Sequence, residues 1–323
     1  MATSRSWRPH PIEGPFRAQL DDVGDLNHVF SDSFTERYRR DGMVGVRVPF
    51  LNVAIWRYAI EDADGGAMLW RDDRGHVVAF NMVHRSGTEG WMGPLAVRTE
   101  HQGLGTGKEI VTRGIEWLKS QNATVIGLET MPRTMDNIGF YSKLGFLPGR
   151  LTLTTTLDSA YADTPARLLS RLSPQARDDA VAECHALTQR LMPGYDFSRE
   201  MSLTQELSLG DTVLLCDDDR LVGFALAHSA PLVDGRTREE LRVLKLVLED
   251  EARFVDLVRA VADFARRSGT RRVSFRMQGE FVAAYQRLIS LGGHVRWTDL
   301  RMSLTDYEEH RPEQGLVLSN WEI

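Results

Sequence analysis

The residue types and spacing best suited to chemistry lie in one short run, Gln102-Gly103-Leu104-Gly105-Thr106-Gly107-Lys108. It follows an apolar stretch and opens a helical pattern whose stripe is Ile110, Val111, Ile115 and Leu118. A helix N-terminus offers unpaired backbone N–H groups and the positive end of the helix dipole. Glycines let that backbone approach an anion closely, so the run reads as a phosphate cradle. Spacing excludes two familiar cradles. A nucleotide P-loop needs Gly-x4-Gly-Lys-Ser/Thr. Here Gln102 stands where its first glycine belongs, and Glu109 stands where the magnesium-binding hydroxyl belongs. The dinucleotide fingerprint Gly-x-Gly-x-x-Gly, begun at Gly103, meets Lys108 at its third glycine. What remains is Gln-x-x-Gly-x-Gly.

The elements around the cradle repeat along the chain. Arg74-Gly-His-Val-Val-Ala-Phe80 is similar to Asp219-Arg-Leu-Val-Gly-Phe224, and both follow paired aspartates. Phe80 to Phe224 is an offset of 144, and Tyr141 to Tyr285 is the same offset. Between the anchors each half reads strand, helix, strand: residues 91–97, 107–120 and 124–129, then 241–248, 253–268 and 272–276. Two anchors at one offset indicate duplication. In the first half, residues 21–40 read as a helix, 67–70 and 76–84 as strands joined by an Asp-Asp-Arg-Gly turn, 136–144 as a short helix ending at Gly145, and 151–157 as a Thr-rich strand. The linker is polar, residues 158–165, and the second half begins with a helix over 174–191. The fold expected is α/β, two tandem mixed sheets flanked by helices, over residues 1–158 and 159–308, with a tail at 309–323 that the pattern does not place.

Composition narrows the function classes. The chain has 323 residues, 42% hydrophobic and 26% charged, a length suited to about two domains. No apolar run is long enough to span a bilayer, and residues 1–15 lack the apolar core of a signal peptide. Two cysteines, Cys184 and Cys216, suggest neither a disulfide framework nor a metal site, so a cytoplasmic protein is expected. The net charge of −6 argues against nucleic-acid binding and is compatible with a cationic substrate.

From about residue 67 to 157 the chain resembles the GNAT family of N-acetyltransferases. The resemblance rests on Gly93-Pro94-Leu95-Ala96-Val97, on the run 102–107, and on Asn137-Ile-Gly-Phe-Tyr-Ser-Lys-Leu-Gly-Phe146, each in the family's order and spacing. It implies that acetyl-coenzyme A is the acyl donor. Leu95 and Val97 would pair with the pantetheine arm as an added strand, and a backbone N–H near Ala96 would polarise the thioester carbonyl. Gln102, Gly103, Leu104, Gly105, Thr106, Gly107 and Lys108 would hold the pyrophosphate, with Asn137, Phe140 and Lys143 flanking the cofactor on its other side.

Amine acylation needs an ammonium to lose a proton and a departing thiolate to gain one. The resemblance assigns the acid to Tyr141, and Glu129, twelve residues earlier, matches members in which a glutamate is the base. A water chain is the alternative base, and a cation-attracting cleft residue is the alternative role for Glu129. His84, at the end of its strand, is expected to be structural, with facing the cleft as the alternative; Glu89 is expected to be a solvated turn residue, and Trp56, Tyr58 and Trp91 either an acceptor wall or packing. Residues 33–58 are the expected seat of specificity. With no cysteine near these motifs, direct transfer to a primary amine of a small molecule or peptide is expected. A longer acyl donor and a non-catalytic coenzyme A sensor are the rival readings.

In the second half, Glu249, Asp250 and Glu251 replace the glycine cradle. Three carboxylates at a helix N-terminus suit the dipole themselves and repel a pyrophosphate. That half is therefore expected to be a degenerate copy, with Tyr285 kept at the acid's position for structural reasons. A homodimer through a sheet edge is compatible with the sequence.

Overall fold

The computed structural model describes residues 11–321. The segment before residue 11, on which the signal-peptide reading rests, lies outside the described residues. The first half runs β1 (Ile12–Arg17), α1 (Val23–Arg40), α2 (Val53–Ala63), β2 (Ala67–Asp72), β3 (Val77–Ser86), β4 (Glu89–Val97), α3 (Thr106–Ser120), β5 (Val125–Thr130), α4 (Met135–Lys143) and β6 (Phe146–Asp158). The second repeats this order: β7 (Arg167–Leu168), α5 (Pro174–Leu191), α6 (Ser198–Glu206), β8 (Gly210–Asp217), β9 (Arg220–His228), β10 (Glu240–Leu248), α7 (Phe254–Arg267), β11 (Arg272–Gln278), α8 (Val282–Ser290) and β12 (His294–Leu304). A last strand, β13 (Leu316–Ser319), comes from the tail.

Local chemistry explains the boundaries. Asn52 caps α2, its Oδ1 accepting from the Ala54 amide at 2.9 Å. Ser173 caps α5 ahead of Pro174, whose fixed φ suits a first helical turn. Gly145 and Gly292 follow α4 and α8 with φ of 94° and 92°, the left-handed geometry that a glycine adopts cheaply after a helix. Counted back four residues from these matched glycines, the position of Tyr141 in α8 is Leu288. Tyr285 lies about one turn earlier, so the expectation that it keeps the acid's position is corrected. The offset drifts because residues 229–239 lengthen the β9–β10 connection while the acidic turn after β10 is shorter than the glycine cradle.

Among the described residues all strands join one sheet in the order β1-β2-β3-β4-β5-β12-β6-β11-β10-β9-β8-β7. The halves exchange their final strands. β12 pairs with β5, with Arg301 opposite Glu129, and β6 pairs with β11, with Thr154 opposite Arg276. β6 and β12 pair with each other at the centre. Met302 and Leu304 of β12 are buried in the first half's core, among Met92, Val111, Leu128, Tyr141 and Phe146. Burying two such side chains contributes about 1.5–3 kcal/mol each, which ties the halves together. On the sheet's other face, α1 and α2 bury Leu26, Val29, Trp56 and Ile60 against Leu69, Phe80 and Met82.

The tail has a defined place. β4 pairs in parallel with β5 from Glu89↔Val125 to Met92↔Leu128, and beyond Met92 the two strands diverge. β10 and β11 pair likewise from Glu240↔Arg272 to Val243↔Phe275. There the gap is filled: β13 pairs antiparallel with β10, from Lys245↔Ser319 to Leu248↔Leu316. The second half thus carries its own added strand in the slot that stays open in the first.

Candidate active site

The open slot and the glycine run form one cleft. Gly105 caps α3 with φ 92° and Gly103 has φ 76°, so both need glycine's freedom. A Cβ at either would meet nothing within 4 Å, which leaves room over the loop for a ligand. Gln102 braces the loop: its Nε2 donates to Val97 O at 2.8 Å and its Oε1 accepts from Arg40 of α1 at 3.1 Å. A cavity of about 210 Å³ runs beside β4, lined by Leu95, Ala96, Val97, Gln102, Gly107, Asn137, Phe140 and Tyr141, with α1 closing it. Eight of the residues singled out from sequence therefore meet on one cavity. Gly103, Leu104 and Gly105 are exposed on the loop, Thr106 is buried and Lys108 exposed in the first turn of α3, and Lys143 is exposed on α4. Unpaired strand edge, glycine loop and helix N-terminus are the donor set that a pantetheine–pyrophosphate chain requires, so these residues fit acyl-coenzyme A.

A second cavity, of about 290 Å³, adjoins the first and shares Phe34, Arg37, Leu95, Asn137 and Tyr141 with it. Its wall includes Glu129, His84 and Trp91 from the first half and Arg276, Trp297, Asp299 and Trp321 from the second. The strand exchange brings these together. Tyr141 stands where the two cavities meet, and burial pushes its phenol well above the ordinary range. It keeps its proton at neutral pH.

Glu129 is held differently from the sequence expectation. It pairs with Arg276 of β11 and, at 3.1 Å, with Arg301 of β12, and it accepts from Thr152 Oγ1 at 2.7 Å. Burial alone would raise its carboxyl, but the two guanidinium groups and these hydrogen bonds bring it below the ordinary range. A carboxylate so paired is a weak base. Arg301 also binds Glu309 at 2.9 Å and lies over the Trp91 ring at 3.8 Å. Asp299 accepts from the Trp297 indole N–H at 3.0 Å and sits 3.2 Å from Arg276. Burial outweighs that arginine and raises its carboxyl.

Other expectations change. Glu89 is fully buried and accepts from the Trp91 indole at 2.9 Å and from Ser319 at 2.6 Å, so it is no solvated turn residue. Burial raises its carboxyl. Trp56 and Tyr58 lie on α2 in the core, Trp56 donating to Asn27 at 2.7 Å, and only Trp91 of the three aromatics lines the second cavity. From the segment expected to carry specificity, Phe34, Arg37 and Tyr38 reach that cavity. Arg276, Trp297, Asp299, Arg301 and Trp321 had no sequence signal as site residues, because their strands belong to the half without a cradle.

Comparison with known proteins agrees with this geometry. The fold is that of the GNAT acyltransferases. Residues 27–146 match the model of the acetyltransferase (GNAT) family, so this part of the chain is a GNAT domain. The chain is similar to a solved structure from Pyrococcus horikoshii assigned to the acetyltransferases, at TM-score 0.64 and 16% identity, covering 96% of this chain and 94% of that one. It is similar to a tandem GNAT protein of the clavulanic acid biosynthesis pathway, at 0.60 and 12%, over 93% and 100% of the chains. It is also similar to Saccharomyces cerevisiae N-myristoyltransferase with bound myristoyl-CoA and inhibitors, at 0.65 and 8%, over 97% and 87%. At these identities the likeness is one of fold. No curated protein sequence matches. Among the described residues no helix is long and apolar enough to cross a membrane, and no group of His, Cys, Asp and Glu is arranged to hold a metal.

Proposed function

We propose that the chain moves an acetyl group from acetyl-coenzyme A to a primary amine of a small molecule or peptide, in one ternary complex. The observation that carries this reading is the continuity of the two cavities through Tyr141, with the open β4 edge on one side and an aromatic wall bearing His84, Glu129, Asp299, Arg37 and Arg276 on the other. The coenzyme supplies an activated acyl carbon, whose bond to sulfur is exchanged for one to nitrogen. The first-turn amides of α3 and the backbone of Gly103 and Gly105 would hold the pyrophosphate. The unpaired N–H and C=O groups of residues 93–97 would align the pantetheine arm, and an N–H near Ala96 would face the carbonyl oxygen. Tyr141 would protonate the leaving sulfur. Trp91 and Trp297 would pack on the acceptor's carbon skeleton.

On this reading only the first half uses the coenzyme. In the second, β13 already supplies the added strand, and Asp250 caps the turn before α7 with its own carboxylate, accepting from Ala252 N at 2.8 Å. The second half's role is to build the acceptor wall through β11 and β12. Calorimetry with acetyl-coenzyme A, followed by thiol release with a panel of primary amines, tests this. One equivalent bound and amine-dependent thiol release are expected. Binding without release by any amine would leave a coenzyme sensor, and tighter binding of a longer acyl donor would change the donor.

A further inference from the structure

The proposed reaction needs a proton acceptor, and Glu129 is spent on two arginines. The other ionisable groups on the second cavity's wall are Arg37, Tyr38, His84, Tyr141, Arg276 and Asp299. The arginines stay charged, burial raises both tyrosines, and Asp299 is engaged by Arg276 and the Trp297 indole. His84 differs. It lies on β3 opposite Trp91, and its Nδ1 is 2.9 Å from Asp62 Oδ2 of α2. Asp62 is fully buried. Burial pushes its carboxyl up, but the His84 hydrogen bond, the charge of a protonated His84 and the charges of Arg199 and Lys245 bring it below the ordinary range, so it accepts. Nδ1 is therefore the donating nitrogen, and in the neutral imidazole Nε2 carries the lone pair. That Nε2 is buried with no hydrogen-bond partner among the described residues. An unpaired, desolvated acceptor is costly to keep unless it has a use.

We propose that His84, oriented by Asp62, is the base that takes the proton from the acceptor's ammonium. This rests on the amine-transfer reading above. The ammonium N–H bond breaks and its proton moves to Nε2, directly or through one water. Asp62 balances the imidazolium. The freed lone pair attacks the acyl carbon and the carbon–sulfur bond breaks. Sulfur takes the Tyr141 proton, and the second proton lost by nitrogen restores the phenol. One proton, left on His84, goes to solvent. Asp62 is a positioning residue. The charged groups around the pair are Arg199, 3.5 Å from Asp62 Oδ1, and, behind them, Glu200 and Lys245, which pair at 3.7 Å, with buried Glu89 beyond. The Trp321 ring lies alongside His84, 6.3 Å between centroids, and screens it from bulk water.

The test compares an alkyl primary amine accepted by the wild type with methoxyamine, a weakly basic primary amine that is unprotonated at neutral pH. Loss of a positioned base costs about 10²–10⁴-fold. His84→Gln is expected to lower kcat/KM for the alkylamine about 100-fold or more at pH 7, a deficit that shrinks as pH rises, while methoxyamine is used nearly as well as by the wild type. Asp62→Asn should show the same split, more weakly. Equal losses with both nucleophiles, or an unchanged pH profile, would overturn the proposal. If the variants do not fold, the wild type decides: the acid limb of kcat/KM seen with the alkylamine must be absent with methoxyamine, and the same limb with both refutes the base. No turnover of any amine by the wild type would refute amine transfer itself, and the base with it.

Discussion

Replacing Glu129 by Gln separates a structural carboxylate from a catalytic base. Glu129 is flanked by Arg276 and Arg301 and accepts from Thr152. Stripping a buried ion pair of one partner costs about 3–5 kcal/mol when the other charge is orphaned. Here neither arginine is orphaned. Arg276 keeps Asp299 at 3.2 Å, and Arg301 keeps Glu309 through bonds of 2.9 and 3.0 Å. The loss is therefore that of two charge-assisted hydrogen bonds weakened to neutral ones, about 1.5–3 kcal/mol in all. The carboxyl is depressed in the folded state, so its contribution is full above its ordinary pKa of about 4.5 and is lost as pH falls below it. Urea denaturation of wild type and Glu129→Gln at pH 7 and pH 3 checks both points. The difference should be about 2 kcal/mol at pH 7 and shrink strongly at pH 3. A stability change under about 0.5 kcal/mol at pH 7, together with loss of the acid limb of kcat/KM, would show that Glu129 is the base and that the ion pairs matter little.

Three further perturbations probe the rest of the site. Gly105→Glu forces a side chain at φ 92° and puts a carboxylate at the cradle, so calorimetry should find acetyl-coenzyme A binding abolished. Its melting should show a cost of only about 1–2 kcal/mol. Tyr141→Phe keeps the ring in the core and removes the acid; kcat should fall about 10²-fold or more with coenzyme binding unchanged, and an unchanged kcat would remove Tyr141 from the reaction. Deleting residues 316–323 exposes β10 and the core that Leu316, Val317 and Leu318 fill, at about 1.5–3 kcal/mol per side chain. Denaturation should show that loss while calorimetry still finds one equivalent of coenzyme, because Glu249, Asp250 and Glu251 remain. A second equivalent would mean that the tail alone blocks a competent site.

Local sequence determined a good deal about this protein. Residues 102–107, Gly93 to Val97 and the run from Asn137 to Phe146 specify strand edge, cradle and acid through backbone conformation and nearest neighbours, which short spacings encode. The repeated element order was legible for the same reason. The tertiary structure decided what surrounds that machinery. Glu129 ends a strand in either account, but whether it is a free base depends on Arg276 and Arg301, well over a hundred residues away and brought in by exchanged strands. Glu89 reads as a turn residue until the tail's Ser319 and the Trp91 indole enclose it. His84 reads as an ordinary strand residue until α2 places Asp62 against one nitrogen and leaves the other unpaired. The tail had no periodicity to interpret, since a short strand is defined by the edge it joins. Pairing partners across long separations are chosen by sheet register and packing, which no local pattern of residues contains.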